Sequence, residues 1–457
     1  MSDFKQYKNL RPQAVFNLNK SKIQSRFRKI KQVLSHRFKL AGLSLYSTII
    51  ILLIISINGR KLRRASALFV NYRSFGHSIS DTNAFLVTFG DKALCISIGK
   101  IGERNKYLSK VFNSNNLLNI TLRGGIFFGR LNMRKYIGPH IVIYLKFLRK
   151  IGILEKELQI FSDNKSLVLE CLSKRISRLS LLNPYQLGNL ITNIARIDKT
   201  AQENCKSITF WAQVYDAKSQ FDSNLRGDTR EEYLYFNKLS SLGVNGNNVV
   251  TLILRTGLSP HHGPGFAYYN EIIEDLDQKG KVVILLGDTH IGLSNYRRHR
   301  NLYDSKTLGL DAKSLPFISI KHSLFTIGDQ SGVWTIVTLL GKQGLLLNST
   351  PSRSLFNNIE VLPRIWVDTR GRPCSLEHLF KSLGETVRNE NRGKWVDGYQ
   401  PIIHSKEMIF RVYDRFIAER LSNKKIQMDG RFFKYFTDYE FPLMQNCAIS
   451  PELLDLS

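Results

Sequence analysis

In the stretch FTIGDQSGVWTIVTLLGKQGLLLN, residues 325–348, an apolar pattern is interrupted and then resumes. Small and polar residues occupy positions 328–332, between two apolar segments. The apolar residues that lead up to the interruption are Phe317, Ile318, Ile320, Leu324, Phe325 and Ile327. Beyond the interruption, apolar residues recur at helical spacing at Trp334, Val337 and Leu340. The apolar run at 345–347 follows Gly344, so the pattern predicts a strand, a tight turn, a helix and a second strand.

The turn GDQSG at 328–332 has two interpretations. A glycine-flanked turn at a helix N-terminus presents free backbone N–H groups and the positive end of the helix dipole, which together favour phosphate. The same turn could simply cap a helix in an ordinary α/β unit. Sequence features elsewhere in the chain are needed to distinguish a phosphate site from a helix cap.

Strand and helix patterns alternate along much of the chain. Apolar runs at 93–99, 248–255 and 281–287 predict strands, and the spacing in FAYYNEIIEDLDQKG predicts a helix with Tyr269, Ile272, Ile273 and Leu276 inward. Residues 65–86 read as strand, glycine turn and helix, whereas 140–148 is apolar but of ambiguous type. Continuous apolar strands alternating with helices predict an α/β fold with two halves, each built on a parallel sheet.

Ligands of such sheets lie beyond the carboxyl ends of the strands. The candidate binding residues are therefore the polar ones just past the predicted strands: Gly76, His77, Arg255, Gly287, Asp288, the turn 328–332 and Asn348. We expect four segments: a basic arm with an apolar segment at 1–64, a first Rossmann-like domain at 65–240, a second at 241–422, and a tail at 423–457.

Charge is distributed very unevenly. Of the formal net charge of +29, residues 1–150 contribute +24, from 28 Lys and Arg against 4 Asp and Glu. This asymmetry predicts an anionic partner. Aromatic residues interleave with the basic arm, but no RNA-binding or zinc-finger spacing follows, so no nucleic acid is expected. The five cysteines are scattered without a CxxC pair, which favours a reducing cytoplasm and no zinc site.

An uncharged segment lies inside the basic region. Residues 40–57 read LAGLSLYSTIIILLIISI, with eleven Lys and Arg residues before them and GRKLRR after. This length is at the lower limit for a spanning helix, and the position does not suit a cleaved signal peptide. Basic flanks on both sides favour a segment that enters the membrane and returns on the cytoplasmic face, which keeps both flanks beside anionic lipid. A buried, strand-rich core segment is the alternative.

Five pieces, in order, resemble bacterial surface-polysaccharide (lipopolysaccharide-type) glycosyltransferases of the GT-B fold. They are FGHSISDTNAFL, NVVTLILR, YYNEIIEDLDQKGKVVILLGD, FTIGDQSGVWTIVTLLGKQGLLLNSTP and IIHSKEMIFRVYDRF. The resemblance covers roughly residues 65–110 and 248–420. It implies two Rossmann-like domains that face a central cleft. Two departures from the family pattern are GLSPHHGPG after Arg255 and Leu286 before Gly287.

The resemblance assigns roles to the candidate residues. Gln330, Ser331 and Gly332 would bind the donor diphosphate at a helix N-terminus, and Arg255 would pair with it. Gly287, Asp288 and Asn348 would complete the donor site. His77 would be the general base, oriented by Asp81, with His261 or His262 as the alternative base. Each residue also has a structural reading: a helix cap, an interface ion pair, an Asx turn or a hydrogen-bonded histidine.

The function implied is transfer of a sugar from a nucleotide-sugar to a lipid-linked or surface-glycan acceptor at the cytoplasmic face of the inner membrane. No cofactor is expected beyond the nucleotide-sugar co-substrate, and no metal. Asp275 and Asp277 form an Asp-x-Asp pair, but they fall in the last turns of a helix, where a solvated surface is expected. The alternatives are a non-catalytic GT-B-like envelope protein, which the two departures favour, and a pyruvyl or phospho-sugar transferase.

Overall fold

The computed structural model describes two compact units of the chain, one made of residues 1–64 and 123–157 and the other of 65–122 and 158–457. The described residues are 64–71, 93–100, 117–122, 133–161, 227–255, 265–287, 299–349, 358–379, 398–422, 424–435 and 448–456, with Phe112, Leu225 and isolated positions between 49 and 86.

The first unit contains helix α1, Met133–Lys150. The described positions at 49, 52, 53, 57–59, 62 and 64 are also helical. The ambiguous apolar segment at 140–148 is thus part of a helix. Within the described part of the chain, no helix combines the length and apolarity that crossing a bilayer requires.

The second unit begins with a four-stranded parallel sheet in the order β3-β2-β1-β4. Its strands are β1 (Ala67–Asn71), β2 (Ala93–Lys100), β3 (Leu117–Leu122) and β4 (Gln159–Phe161). Helical positions at 79, 82, 83, 85 and 86 follow β1, and the rings of Phe69 and Phe85 lie 5.5 Å apart. The predicted strands at 65–71 and 93–99 are confirmed.

A second parallel sheet contains seven strands in the order β13-β10-β9-β8-β5-β6-β7. They are β5 (Val249–Leu254), β6 (Val282–Gly287), β7 (Leu302–Tyr303), β8 (Thr326–Asp329), β9 (Gly344–Ser349), β10 (Ile359–Pro363) and β13 (Ala448–Ile449). From β7 to β10 this is the doubly wound Rossmann order, and β5 and β8 are the neighbours at which the winding reverses. Residues 423–457, expected as a tail, supply β13.

Helices cover both faces of this sheet. The described ones are α2 (Thr229–Ser241), α3 (Asn270–Gln278), α4 (Ser305–Leu308), α5 (Leu315–His322), α6 (Trp334–Leu339) and α7 (Lys406–Leu421). Residues of α5 and α6 pack with Ile253 of β5 in one apolar cluster, whereas residues of α3 and α7 pack with Leu252 and Leu254 in another. Alternate residues of β5 thus face opposite helical layers, as the continuous apolar strand predicts. A separate antiparallel pair joins β11 (Ile365–Val367) and β12 (Gln400–Ile402).

One predicted element is wrong. Phe317, Ile318 and Ile320 were expected in the lead-in to the strand of residue 327, but they lie in α5, and β8 begins only at Thr326. Pro316 stands in the first turn of α5, where proline suits a helix start, and Phe317–Ile320 are all buried. A helix buried on every side shows no apolar stripe, so its pattern resembles that of a buried strand.

Candidate functional site

The carboxyl ends of β5 and β8 mark the switch point of the seven-stranded sheet, where doubly wound folds bind ligands. Arg255 follows β5 directly, and Asp329 is the last residue of β8. Gly287 ends β6 on one side, and Asn348 lies near the end of β9 on the other. Four adjacent strands therefore deliver polar residues to one edge of the sheet.

Asp329 is the centre of this edge. Its side chain is buried, with the residue 1% exposed. One carboxylate oxygen accepts a 3.1 Å hydrogen bond from the backbone N–H of Arg255, and the other accepts a 2.6 Å bond from the hydroxyl of Tyr269. The carbonyl of Asp329 accepts a 2.8 Å bond from the indole N–H of Trp334. One residue therefore fixes the end of β5, the start of α3 and the first turn of α6 relative to β8.

Burial and the neighbouring charges act in opposite directions on the pKa of Asp329. Burial raises the pKa of Asp329 to about 6, and the hydrogen bonds from Tyr269 and the Arg255 N–H, together with the charges of Arg364 and Arg255, limit the rise. Burial and the Asp329 charge hold the Tyr269 pKa well above its usual range. At neutral pH the site therefore contains one buried carboxylate that interacts with the charges of two arginines, which leaves it with net positive charge.

Asn348 anchors a second group of buried polar residues. Its backbone is left-handed, with φ 51°. Its carbonyl accepts a 2.9 Å hydrogen bond from Nε of Arg364, which follows β10, and its side-chain oxygen accepts a 3.3 Å bond from the backbone N–H of His404. Asn348 is thus held on both sides, and the guanidinium of Arg364 is fixed beside it.

His404 is held in one tautomer. Its Nε2 lies 2.6 Å from the carbonyl oxygen of Pro363, which can only accept, so Nε2 carries the proton. Burial lowers the pKa of His404, and the charge of Arg364 acts in the same direction. Nδ1 is buried with no hydrogen-bond partner among the described residues. A neutral imidazole with an unmatched acceptor therefore lies beside Asn348.

Two glycines allow β6 and β8 to approach the end of β5. Gly287 and Gly328 have φ of 99° and 136°, and a Cβ at either position would meet a β5 carbonyl oxygen at 2.0 Å. The oxygens belong to Leu254 and Ile253 respectively. No other residue could take these positions without moving β5, so Gly287 has a structural reason in addition to any role in binding.

The turn at 330–332 leads into α6, which has six residues. The hydroxyl of Ser331 accepts a 3.1 Å hydrogen bond from the backbone N–H of Val333, and its carbonyl accepts one from Trp334. Val333 is the N-cap of α6 and no described side chain bonds to the helix start, so Ser331 orders the turn that precedes the helix and does not cap it. Binding of phosphate by Gln330, Ser331 and Gly332 stays a prediction.

The remaining candidates divide by where they lie. Arg255, Gly287, Gln330, Ser331, Gly332 and Asn348 share the carboxyl edge of the seven-stranded sheet. Five candidates lie outside the described residues: His77, Asp81, Asp288, His261 and His262.

Asp275 accepts hydrogen bonds from the Tyr413 hydroxyl, at 2.6 Å, and from Lys279, so it connects α3 to α7. Over the described part of the chain, no three His, Cys, Asp or Glu side chains form a group that could hold a metal ion.

Three residues of the site are missing from the sequence-based candidates: Tyr269, Arg364 and His404. Arg364 follows an apolar strand, just as Arg255 does, and that position is the signal that could have identified it. Asp329 was included only as part of the turn, and Tyr269 only as an inward-facing apolar residue. Their pairing depends on a contact between distant parts of the chain.

The chain is similar in fold to several solved structures. A family 9 glycosyltransferase from Veillonella parvula aligns at 12% identity and a TM-score of 0.40, over 66% of this chain and 87% of its own. ADP-heptose lipopolysaccharide heptosyltransferase II of E. coli aligns at 12% and 0.37, over 70% and 96%. UDP-GlcNAc 2-epimerase of Methanocaldococcus jannaschii aligns at 14% and 0.33, over 76% and 99%. No protein-family model and no curated protein matches the chain. Similarities at this level carry no argument about chemistry.

Proposed function

We propose that the protein is a glycosyltransferase that moves a sugar from a nucleotide-sugar to a lipid-linked or surface-glycan acceptor. The observation that carries the proposal is that two arginines, Arg255 after β5 and Arg364 after β10, both act electrostatically on the buried Asp329 at the switch point. The order of motifs that resembles lipopolysaccharide-type glycosyltransferases supports the reaction class. The nucleotide-sugar is a co-substrate, and no further cofactor is required.

Transfer from a nucleotide-sugar leaves a nucleoside diphosphate, and its negative charge must be stabilised as the glycosidic bond breaks. A guanidinium can pair with two phosphate oxygens at once. Asp329 lowers the positive charge at the site, and it holds Arg255 by accepting a hydrogen bond from the backbone N–H of that residue. Because like charges repel, the buried carboxylate of Asp329 is a positioning group and does not contact phosphate.

The finer parts of the proposal concern the catalytic base and the metal. His77 would remove the proton of the acceptor hydroxyl, and Asp81 would orient the imidazole. Arginines and backbone N–H groups would replace a divalent cation at the diphosphate. Turnover should therefore continue in EDTA, and loss of turnover that Mn²⁺ or Mg²⁺ restores would exclude the metal-independent reaction.

The first experiment is calorimetric titration of the full chain with ADP, UDP, GDP and CMP. One of these nucleotides should bind, and Arg255→Gln should weaken its binding about tenfold or more, since a hydrogen bond to a charged group contributes ~1.5–3 kcal/mol. Arg372→Gln is the matched control, because Arg372 pairs with Asp368 at an exposed site. Absence of binding by all four nucleotides would contradict the proposal.

The second experiment measures turnover with sugars attached to the nucleotide that binds. Hydrolysis or transfer supports an enzyme. Tight binding without either reaction, over a range of sugars, would instead favour the non-catalytic envelope protein. Consumption of phosphoenolpyruvate with nucleotide-sugars untouched would favour a pyruvyl transferase.

A further inference from the structure

Helix α1 and the turn after it expose a row of large apolar side chains. Ile143 is 61% exposed, Phe147 54%, Ile151 51% and Ile153 42%. The first three are spaced by four residues, so they lie on one face of the helix. Ile141, Val142 and Leu145 are buried, so α1 already has a packed side. The exposed row is therefore additional to the core of its unit.

Backbone hydrogen bonds close the end of α1 next to this row. The N–H of Gly152 bonds to the carbonyl of Arg149, and the N–H of Ile153 bonds to that of Leu148, at 3.2 and 3.0 Å. Gly152 has φ of 80°, so this is a Schellman cap. Capped carbonyls can enter an apolar environment at less cost than free ones, and the cap places Ile153 next to the helical row.

Basic side chains border the apolar row. Lys146 and Lys150 are exposed between its members, and Arg149 stands in the same last turn. Residues 133–150 contain no Asp or Glu. Glu155 and Glu157 come only after the turn, where the row has ended. Apolar residues with a basic border, on one helical face, match an anionic lipid surface: the acyl region accepts the first and the headgroups the second.

A second segment of the same unit has the same character. Its described helical positions include four exposed apolar residues: Ile49 at 48%, Leu52 at 58%, Leu53 at 54% and Ile57 at 77%. Their spacing of three, four and eight residues again places them on one face. These residues come from the uncharged stretch between two basic flanks. Two helical segments, distant in sequence, thus bring the same chemistry to one unit.

We propose that this unit docks on an anionic bilayer, with Phe147, Ile151 and their neighbours entering the headgroup region and the adjacent basic residues binding lipid phosphates. The sequence predicts lipid contact only for residues 1–64, so α1 and the 151–153 turn are a new contact site. Docking is shallow: the row covers less than three helical turns. The proposal does not depend on the enzymatic activity.

The test is flotation of the full chain with vesicles of equimolar phosphatidylcholine and phosphatidylglycerol, without nucleotide. The double variant Phe147→Glu/Ile151→Glu should bind at least about tenfold more weakly, since one buried large apolar side chain accounts for roughly one to two powers of ten in partitioning. Tyr233→Glu is the control, because Tyr233 is an aromatic residue on α2, in the other unit, and is 66% exposed. Thermal melts should show all three proteins folded.

A second readout locates the side chain directly. Phe147→Trp should be quenched by brominated lipids in these vesicles, and Tyr233→Trp should not. Equal vesicle binding by wild type and the double variant, with no quenching at residue 147, would overturn the proposal. So would a wild-type oligomer that Phe147→Glu/Ile151→Glu dissociates while vesicle binding is unchanged, because a second copy would then cover the face.

Discussion

The hydroxyl of Tyr269 donates a 2.6 Å hydrogen bond to the buried carboxylate of Asp329, across 60 residues of chain. The same carboxylate receives the backbone N–H of Arg255 at 3.1 Å. Displacement of either donor would leave one oxygen of the buried carboxylate without that hydrogen bond. The geometry of the switch point, and with it the position of Arg255, therefore depends on this contact.

Removing the Tyr269 hydroxyl should destabilise the protein in a pH-dependent way. Above pH 6 Asp329 is ionised, so Tyr269→Phe should cost ~1.5–3 kcal/mol of unfolding free energy, the usual contribution of a hydrogen bond to a charged group. Once the carboxyl is protonated, the loss should fall to about 1 kcal/mol. Urea unfolding above and below that pH measures both values.

Tyr235→Phe is the matched control for that experiment. The hydroxyl of Tyr235 is also buried, but it has no hydrogen-bond partner within the part of the chain that the structure describes. Its removal should be neutral or slightly stabilising at every pH. An equal loss of unfolding free energy in both variants would show that the Tyr269–Asp329 hydrogen bond stabilises the protein no more than the Tyr235 hydroxyl does.

Asp329→Asn should change how stability depends on pH. The carboxyl has a folded pKa of about 6 against an ordinary 3.8, so the folded state binds more protons between these values. This group's contribution is therefore complete below pH 3.8 and is lost as pH rises through 6, a decrease of about 3 kcal/mol. Asp329→Asn should lack this decrease.

Denaturant titrations from about pH 4 to about pH 8 would show the difference as a flatter curve for Asp329→Asn. Asp368→Asn provides a control of opposite sign. Hydrogen bonds from Arg372 and Arg370 lower the pKa of Asp368, so its contribution is lost as pH falls. Identical curves for wild type and Asp329→Asn would contradict the elevated pKa.

Long apolar strands were predictable from the sequence because each is buried on both faces. β5 and β6 are such strands, and their prediction needed only local composition. The sequence did not predict β10, because Glu360 interrupts its apolar run. That glutamate is buried against Arg415 of α7 and the Ser450 hydroxyl, 55 and 90 residues away. No local pattern shows such a partner.

The site was predictable to the same extent. Arg255 and Asn348 stand next to recognisable strands, and the strand order places them at one edge of the sheet. Arg364 follows the strand that Glu360 conceals, so it was missed together with that strand. Asp329 was assigned to a polar turn, since nothing in its neighbourhood signals that Tyr269 and the Arg255 N–H compensate its burial.

Gly328→Ala tests the close approach of β8 to β5. An added Cβ would meet the Ile253 carbonyl oxygen at 2.0 Å, and the φ of 136° is unfavourable for alanine. Gly280→Ala is the matched control, because its φ of 63° is also left-handed but nothing lies within 4 Å of the added atom. The control should cost ~1–2 kcal/mol, and Gly328→Ala at least about 3 kcal/mol more. Equal costs in thermal or urea unfolding would show that β5 can shift freely.

The two readings of the 330–332 turn predict different pairs of effects. Ser331→Ala removes the acceptor of the Val333 N–H and should cost ~0.5–1.5 kcal/mol of stability, the usual contribution of one neutral hydrogen bond. Gly332→Val should leave the apolar face of α6 intact, but if the turn holds phosphate it should strongly reduce nucleotide affinity. Calorimetric titration and thermal melts on both variants separate the effects. Unchanged affinity in Gly332→Val would leave a structural role before α6 as the function of the turn.

Arg364→Lys should weaken binding of a nucleoside diphosphate more than binding of the corresponding monophosphate. The guanidinium is buried, and its Nε is fixed on the carbonyl of Asn348, so its planar fork has a set direction. Lysine keeps the charge but loses that fork. The expected loss is about tenfold for the diphosphate, the value of one charge-assisted hydrogen bond.

Arg420→Lys is the control for this last change. Arg420 is also buried, but it lies at the end of α7 and pairs with Glu419. Its neighbour Glu360 stands near the start of β10, whereas Arg364 follows the carboxyl end of that strand. Arg420→Lys can therefore lower stability without acting at the switch point. If both variants reduce nucleotide affinity equally, the effect comes from general destabilisation, and Arg364 is not a phosphate ligand.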